Sequence, residues 1–210
     1  MLLRFRKTLL LAVAFLFIMQ GAALAIDVDK LLSTPADDGK KPRVALLYVN
    51  NAKTTYDEDL NKKMLDNFKS LLGDNRIIVS GEPYLERLNK AGMSDITTAE
   101  REDITGAFKG DDVDYVLYAE LQPFVRKQRI TFFTIGIDMT AIVPVKIIDL
   151  KNNKYLYNGK FTEFASDSTM IGNVGNKSVS MKALDKTIEK MNAVVSVRLP
   201  AERPVVVQKQ

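Results

Sequence analysis

The stretch from Ile130 to Ile148, ITFFTIGIDMTAIVPVKII, is the most apolar part of the chain after residue 25 and decides the fold. Its apolar side chains recur at every second position, which is the period of a strand with one buried face and not of a helix. The odd positions predicted to be buried are Phe133, Ile135, Ile137, Met139, Ala141, Val143, Val145 and Ile147. We therefore expect one long β-strand here, and not a membrane-spanning helix.

The even positions of this strand form a second face, and the sequence allows two interpretations of it. If the face is exposed, its mixed apolar and polar strip is a surface for a partner protein, either by strand addition or by self-association. If helices cover it, the same residues belong to the core. The candidate partner-binding residues are Phe132, Thr134, Asp138, Thr140 and Ile142.

The chain before residue 122 alternates between short apolar runs and helical patterns. Val44–Val49 and Ile77–Val79 are typical of buried strands, and a period of two predicts a third strand over Val113–Leu121. A helix between the first two strands is predicted to end at Gly73. Its apolar stripe consists of Leu60, Met64, Leu65, Phe68, Leu71 and Leu72.

Three sequence signals predict where helices begin. Thr55 with Glu58 has the spacing of a capping box, in which each side chain accepts a hydrogen bond from the other residue's backbone. Thr97 with Glu100 has the same spacing. Pro83 suits the first turn of a helix, where its missing N–H costs nothing. We expect a helix after each of these signals.

The chain after the long strand predicts a hairpin and a last helix. Residues 151–153, Lys-Asn-Asn, predict a turn into a strand over Lys154–Phe164. The side chains expected to share one face of that strand are Tyr155, Tyr157 and Phe161. The final helix is predicted from the stripe Leu184, Ile188, Met191 and Val195.

The predicted elements define a mixed α/β protein, α+β in its second half, with the order β-α-β-α-α-β-β-β-α. Strands joined by helical crossovers are expected to be parallel, and those joined by hairpins antiparallel. The economical arrangement is a single mixed parallel and antiparallel sheet flanked by helices. We assign this domain to residues 43–199.

The residues before and after the domain have different characters. Residues 1–25 combine an early basic cluster, the apolar run Leu9–Met19 and the small-residue ending Ala23-Leu24-Ala25, which is the pattern of a secretory signal peptide. Residues 26–42 are polar and without period, as in a flexible linker. Residues 200–210 form a short tail. We expect an exported bacterial protein, periplasmic or secreted, with no membrane segment after cleavage.

Composition excludes several classes of chemistry. The chain of 210 residues has no histidine, cysteine or tryptophan, so disulfides, His or Cys zinc sites, Cys nucleophiles and Ser-His-Asp triads are excluded. Three of its 30 basic residues and none of its 26 acidic residues lie in residues 1–25. Cleavage there leaves a nearly neutral protein, which argues against nucleic acid as a partner.

Two further motifs invite a ligand and are better explained without one. Residues 172–178, GNVGNKS, resemble a phosphate-binding loop, but Asn176 occupies the position where such a loop needs glycine before Lys-Ser. We expect a loop in which Asn176 or Ser178 caps the last helix. The acidic run of Asp111, Asp112 and Asp114 lacks the glycine and distal glutamate of a calcium loop, which favours a solvated turn.

The order of elements and several strand motifs resemble a known envelope family. The motifs are VALLYVNN at 44–51, IIV at 77–79, DYVLY at 114–118, VKIIDL at 145–150 and YLYNG at 155–159. Over residues 43–199 the chain resembles the curli-secretion lipoprotein (CsgG-like) superfamily. That group includes the penicillin-binding-protein activator lipoproteins and is similar to the amino-terminal domain of TolB.

The resemblance implies a non-enzymatic envelope protein that assembles or regulates through protein contacts, without a cofactor. The lipidated cysteine of several relatives is missing, which argues against an outer-membrane anchor and a pore. The alternative is a small periplasmic module that binds an anion or an envelope glycan at the carboxyl ends of the parallel strands. Its candidate residues are Asn50, Asn51, Ser80 and Gly81.

Overall fold

A computed structural model describes residues 41–73, 75–170 and 174–204, which form one six-stranded sheet and four helices. The elements in chain order are β1 (Arg43–Asn50), α1 (Asp57–Leu72), β2 (Ile77–Ser80), α2 (Glu82–Lys90), α3 (Arg101–Gly106), β3 (Tyr115–Leu121), β4 (Val125–Ile130), β5 (Ile135–Asp149), β6 (Lys154–Thr169) and α4 (Asn176–Arg198). The predicted class, a single mixed sheet flanked by helices, is confirmed. The predicted order lacked one strand, β4.

β4 escaped prediction because its sequence, VRKQRI, carries no strand pattern. Four consecutive polar residues interrupt any alternation, and all six side chains are exposed. The strand forms because its backbone pairs with the first half of β5, from Val125 opposite Thr140 to Ile130 opposite Ile135. Tertiary pairing therefore overrides local propensity here.

The predicted signal peptide, residues 1–25, lies outside the described residues, as do most of the linker and residues 205–210. The described part of the tail packs against the domain. Arg76 donates hydrogen bonds to the carbonyl oxygens of Leu199 and Pro200, at 2.7 and 3.1 Å. The Tyr115 hydroxyl donates to the carbonyl oxygen of Glu202 at 3.2 Å. These contacts hold the end of α4 beside the start of the sheet.

β5 organises the sheet because it is long enough to pair with three strands. β1 pairs in parallel with β2 and β3, and β3 pairs antiparallel with residues 145–149 of β5. β4 pairs with residues 135–140 on the same side of β5, whereas β6 occupies the whole other side. The far part of the β5–β6 hairpin and β4 thus form an extension beyond the ends of β1 and β3.

Helices cover both faces of the half that contains β1, β2 and β3. α1 and α4 pack on one face, and α2 and α3 pack on the other. β3 is buried at every position between these layers. The predicted helix stripes are largely confirmed, with these side chains buried: Leu60, Met64, Leu65, Phe68, Leu72, Leu184, Met191 and Val195.

The period-two prediction for the long strand is confirmed from Ile137 to Ile147, where every odd position is buried. It is wrong at Phe133, which is 80% exposed. β5 begins only at Ile135, and residues 131–134 form the turn from β4, so the alternation ends there. A turn residue has no fixed face, which is why the pattern misplaced Phe133.

A β-bulge turns one tyrosine of β6 away from its expected face. Tyr157 pairs with Ile147, but Tyr155 pairs with Ile148, so Leu156 is the extra residue. Tyr157 and Phe161 stack with ring centroids 5.5 Å apart on the α1 and α4 face. Tyr155 instead packs on the α2 and α3 face. The prediction that all three rings share a face is therefore wrong for Tyr155.

The capping box predicted at Thr55 and Glu58 is wrong. The N-cap of α1 is Tyr56, which makes no side-chain cap hydrogen bond. The Asp57 carboxylate instead accepts hydrogen bonds from the backbone N–H and the hydroxyl of Thr54, at 2.9 and 2.8 Å. The turn before α1 is thus stabilised from within the helix.

The second capping box lies three residues later than predicted. Glu100 is the N-cap of α3, and Asp103 completes the box by accepting from the Glu100 backbone N–H at 3.3 Å. Thr97 instead donates to Asp95 in the preceding loop. The sequence signal at Thr97 therefore marks a loop turn and not a helix start. Pro83 does lie in the first turn of α2, as predicted.

Candidate functional site

One face of the extension is not covered by any helix of the described chain. Exposure alternates along the far part of β6, with the even positions exposed and Phe161 and Ala165 buried. The pairing registers place the odd-numbered residues of β4 and the even-numbered residues of β5 on this same face. We call this surface the open face, and its side chains are Val125, Lys127, Arg129, Asp138, Thr140, Ile142, Pro144, Lys160, Thr162, Phe164, Ser166 and Ser168.

An apolar row crosses the open face. Val125, Thr140 and Phe164 lie opposite one another on β4, β5 and β6. Phe164 is 61% exposed and Val125 is 55% exposed. Ile142 lies two positions along β5 from Thr140, on the same face. Neighbouring exposed apolar side chains on one surface mark a candidate contact surface.

The structure answers the question that the sequence left open about the even face of β5. Asp138, Thr140 and Ile142 lie on the open face and are half-buried between neighbouring side chains. The covered part begins at Lys146, whose ammonium donates to the carbonyl oxygens of Ile96 and Ala99 at 2.7 and 2.9 Å. The face is therefore uncovered up to Pro144 and covered beyond it.

The remaining two candidate partner-binding residues lie in the β4–β5 turn. Phe132 is fully exposed beside Phe133. The Thr134 backbone N–H donates to the Thr131 hydroxyl at 3.0 Å, which closes the turn. Phe132 therefore extends the apolar surface to the tip of the extension, whereas Thr134 has a structural contact.

Strand addition through the predicted strip is ruled out by the sheet order. β5 has partners on both sides, so its backbone N–H and C=O groups are already paired. The edge strands beside it are β4 and β6. Only a side-chain surface, and not a free strand edge, is available at Thr140 and Ile142.

Two residues of the open face, Phe164 and Val125, were not predicted from the sequence. Phe164 and Phe161 are an odd number of positions apart, so their side chains point to opposite faces of the strand. That spacing was sufficient to place Phe164 on the opposite face. Val125 precedes the polar run of β4 and carries no such signal. Its position follows only from its register with Thr140.

A cleft of about 560 Å³ opens where β1 and β3 end, bounded by α2 and the loop that follows it. Asn50 and Asn51, two of the predicted ligand-loop residues, line it. Ser80 and Gly81 do not. Gly81 lies so close to β1 that a Cβ there would overlap the backbone carbonyl of Leu46, so this glycine is required for packing.

The floor of the cleft is a hydrogen-bonded group centred on Glu120, which is 8% exposed. Its carboxylate accepts from the Asn51 side-chain amide at 2.9 Å and from the Tyr118 hydroxyl at 2.5 Å. Burial, reinforced by this hydrogen bond, raises the pKa of Tyr118 well above its ordinary value. The phenol therefore remains a donor, and Glu120 is held in one orientation.

The lining of the cleft is acidic. Glu82, Glu86, Asp95 and Glu120 contribute carboxylates, and no lysine or arginine is among the described residues that line it. The hydrogen bond from Thr97 lowers the pKa of Asp95, and that from Lys90 lowers the pKa of Glu86. These charges repel an anion, so the anion part of the binding-module alternative is not supported.

The acidic run at 111–114 is used in ion pairs. Asp111 pairs with Arg87 at 2.5 Å, and Asp112 lies 3.7 Å from Arg203. Asp114 is buried and accepts from the Arg43 backbone N–H at 2.9 Å. No group of acidic side chains in the described ranges could hold a metal ion.

The described part of the phosphate-loop-like motif shows no cap of the predicted kind. Gly175 is the N-cap of α4 and has no side-chain cap hydrogen bond, so the prediction for Asn176 or Ser178 is wrong. The Asn176 side-chain oxygen accepts from the Arg126 guanidinium at 3.3 Å. Gly172 and Asn173 lie outside the described residues.

Within 41–73, 75–170 and 174–204, no helix is both long and apolar enough to span a membrane.

No protein-family model matches the chain, and no curated protein matches its sequence. Among solved structures, it is similar to the lipoprotein GNA1162 from Neisseria meningitidis, with a TM-score of 0.40 and 14% identity over 71% of this chain and 99% of that one. It is similar to the hypothetical protein CT253 from Chlamydia trachomatis, with a TM-score of 0.44 and 16% identity over 77% and 99% of the two chains. The LpoB C-terminal domain from Salmonella enterica has a TM-score of 0.33 and 16% identity over 67% and 94%. The CsgG-like resemblance stays a prediction.

Proposed function

We propose that this protein is an exported, non-catalytic bacterial envelope protein that acts by protein–protein contact through its open face. The observation that carries the proposal is the apolar row of Val125 and Phe164 on an uncovered sheet face, continued at the tip by Phe132. Burial of one such phenylalanine against a partner contributes about 1.5–3 kcal/mol. Exposed aromatic side chains on a rigid sheet are typical anchors of an interface.

The other parts of the proposal rest on the sequence. The signal-peptide pattern of residues 1–25 supports export. The absence of histidine and cysteine removes the usual nucleophile and base pairs. The CsgG-like resemblance supports an assembly or regulatory role in the envelope.

Photo-crosslinking in the living envelope tests the proposal. With p-benzoylphenylalanine in place of Phe164, we expect a defined covalent product with one envelope protein, or with a second copy of this chain. The control places the same group at Val197, which is 80% exposed on α4 and remote from the open face. Products of equal yield at both positions would contradict the proposal.

A second variant makes the test independent of the probe position. Thr140→Arg puts a long cation at the centre of the apolar row, between Val125 and Phe164. For this variant the photo-crosslinking residue is placed at Phe132. We expect the yield of the crosslink to fall at least tenfold, which corresponds to a loss of about 1.4 kcal/mol in binding free energy. An unchanged yield from a folded variant would mean that the partner does not use the open face.

The acidic cleft favours a second function, that of a small binding module. Its volume is within the range of pockets that enclose small molecules. An envelope glycan is a candidate ligand, because its hydroxyl groups suit the polar side chains of Asn51 and Glu120 in the cleft. Equilibrium dialysis with soluble envelope glycan fragments tests this function, and Glu120→Gln is expected to weaken the binding.

A further inference from the structure

The geometry points to the cleft as a receptor for one basic side chain, a lysine or an arginine, of the polypeptide that docks on the open face. This inference rests on the proposed function, because it gives the chemistry of the same partner. A single docked polypeptide would contact two features that were predicted from the sequence as separate candidate sites. These are the strip on β5 and the loop residues Asn50 and Asn51.

The cleft and the open face are continuous. β3 and β5 are neighbours, and the register of Ala119 with Val145 places Glu120 beside Pro144 on one face of the sheet. Farther along, the Gln122 backbone N–H donates to the Ile142 carbonyl oxygen at 3.0 Å. Gln122 and Glu120 line the cleft, whereas Ile142 and Pro144 belong to the open face. A chain lying on the open face therefore passes the mouth of the cleft.

The buried carboxylate at the floor has only neutral donors. Glu120 accepts from Asn51 and Tyr118, and no ion pair in the described part of the chain joins it to a lysine or arginine. A buried carboxylate without a cation costs free energy, because neutral hydrogen bonds replace only part of its hydration. The buried Lys146 on the same face directs its ammonium to the carbonyl oxygens of Ile96 and Ala99, so a cationic group from a partner would give Glu120 a counter-charge of its own.

The walls suit the aliphatic part of a long basic side chain. Val49, Leu85 and Ile96 line the cleft. Lysine and arginine place their methylene groups along apolar surface and their charged end in a polar environment. The apolar walls and the acidic floor match the two parts of such a side chain.

A bare metal ion fits the cleft less well than an organic cation. The carboxylates are spread over α2, β3 and the 94–97 loop, and no three acidic side chains of the described residues converge on one point. A divalent cation needs several oxygens at about 2–2.6 Å. An ammonium or guanidinium group needs only a few acceptors at hydrogen-bond distance.

The test is an NMR titration of the full exported chain with four small probes. They are N-acetyl-lysine methylamide, its uncharged analogue N-acetyl-norleucine methylamide, the neutral sugar N-acetylglucosamine and inorganic phosphate. We expect saturable shifts of the amides of Asn51, Thr97 and Glu120 with the lysine derivative, and at least tenfold weaker binding of the norleucine derivative. Raising the NaCl concentration from about 20 to about 300 mM should weaken the lysine binding through screening.

Two variants and a control locate the site. Glu120→Gln is expected to weaken lysine binding at least tenfold. Because this change also alters the bond to Tyr118, the exposed Glu82→Gln on α2 is tested beside it and is expected to weaken binding by about threefold. Glu163→Gln, which breaks a pair with Lys190 on the other face of the sheet, is expected to have no effect.

Each alternative result is decisive. Equal shifts with the lysine and norleucine derivatives, or binding of N-acetylglucosamine or phosphate without the lysine derivative, would overturn the inference. Loss of lysine binding in Glu163→Gln would do the same. If the Phe164 crosslink forms while no lysine binding is found, the inference fails and the proposed function stands. If lysine binds but the crosslinks at Phe164 and Val197 are equal, the proposed function fails, and the docking of one polypeptide on both surfaces fails with it.

Discussion

Buried polar side chains determine how the loops are held on the sheet. Lys146 and Glu120 lie on the same face of the sheet, 5% and 8% exposed. The first donates to two carbonyl oxygens of the loop after α2, and the second accepts from Asn51 at the end of β1. Each such group is costly when unpartnered, so these contacts fix the walls of the cleft.

Ionisation of the Tyr115 phenol makes the free energy of unfolding depend on pH. Tyr115 is 2% exposed, and burial, with smaller contributions from Asp149 and Asp114, raises its pKa from 10.0 to about 12. Folding therefore favours its protonated form, which stabilises the protein below the ordinary pKa. That contribution is lost as the pH rises from 10.0 through about 12, so the free energy of unfolding is expected to fall across this window.

The variant Tyr115→Phe is expected to reduce this pH slope by about one proton. The measurement is urea unfolding at a series of alkaline pH values for both proteins. Tyr48 and Tyr118 also have raised pKa values and contribute with the same sign to both proteins, so the difference isolates Tyr115. Identical slopes would show that this phenol does not ionise differently on folding.

At the scale of elements, α4 protects the edge strand β6. Lys182, Lys186 and Lys190 lie one turn apart on the helix and reach over this edge. Lys182 pairs with Asp167 at 2.9 Å, and Lys190 pairs with Glu163. Lys186 donates to the backbone carbonyl oxygen of Phe164 at 3.1 Å. Lysines at a sheet edge oppose pairing with another chain, so this edge of the sheet is protected.

Replacement of Lys186 should therefore expose the edge. We expect Lys186→Ala to self-associate at concentrations where the native protein does not change mass, because the Phe164 carbonyl becomes free to pair. Light scattering over a concentration series measures this. The control is Lys62→Ala, an exposed position on α1. A variant with the native mass at all concentrations would show that Lys186 does not protect the edge.

At the scale of the whole molecule, one sheet has two halves with different tasks. The half with β1, β2 and β3 is covered on both faces and carries the stability, whereas the extension is covered on one face only. We expect the double variant Phe132→Ser with Phe133→Ser to keep the free energy of unfolding within about 0.5 kcal/mol, because both side chains are exposed. Ile147→Ala, at a fully buried position, is expected to cost about 2–5 kcal/mol.

Thermal and urea unfolding of the two variants check this division. With the photo-crosslinking residue at position 164, the phenylalanine variant is also expected to lose the crosslink to the partner while it remains folded. A large loss of stability in the phenylalanine variant would show that the tip packs against the domain in solution.

Residues of the candidate site were predictable from the sequence where the alternation of side chains along a strand alone determines which face they lie on. The even positions Asp138, Thr140 and Ile142 were placed on one surface by the period of two, and Asn50 and Asn51 were placed at the ends of parallel strands. Phe164 had a usable signal in its phase relative to Phe161. No pattern in the sequence singled out Glu120, because its bond to Asn51 depends on the pairing of β1 with β3.

The sequence by itself determined the class of fold, the buried face of β5 and the helix stripes, because these follow from local periodicity and from apolar side chains that must leave water. Only the tertiary structure decided that β4 is a strand, that Tyr155 changes face and that the even face of β5 stays uncovered up to Pro144. Each of these depends on which strands and helices lie beside a residue. Contacts between distant parts of a chain leave no period in the sequence, and for that reason they had to be seen in the fold.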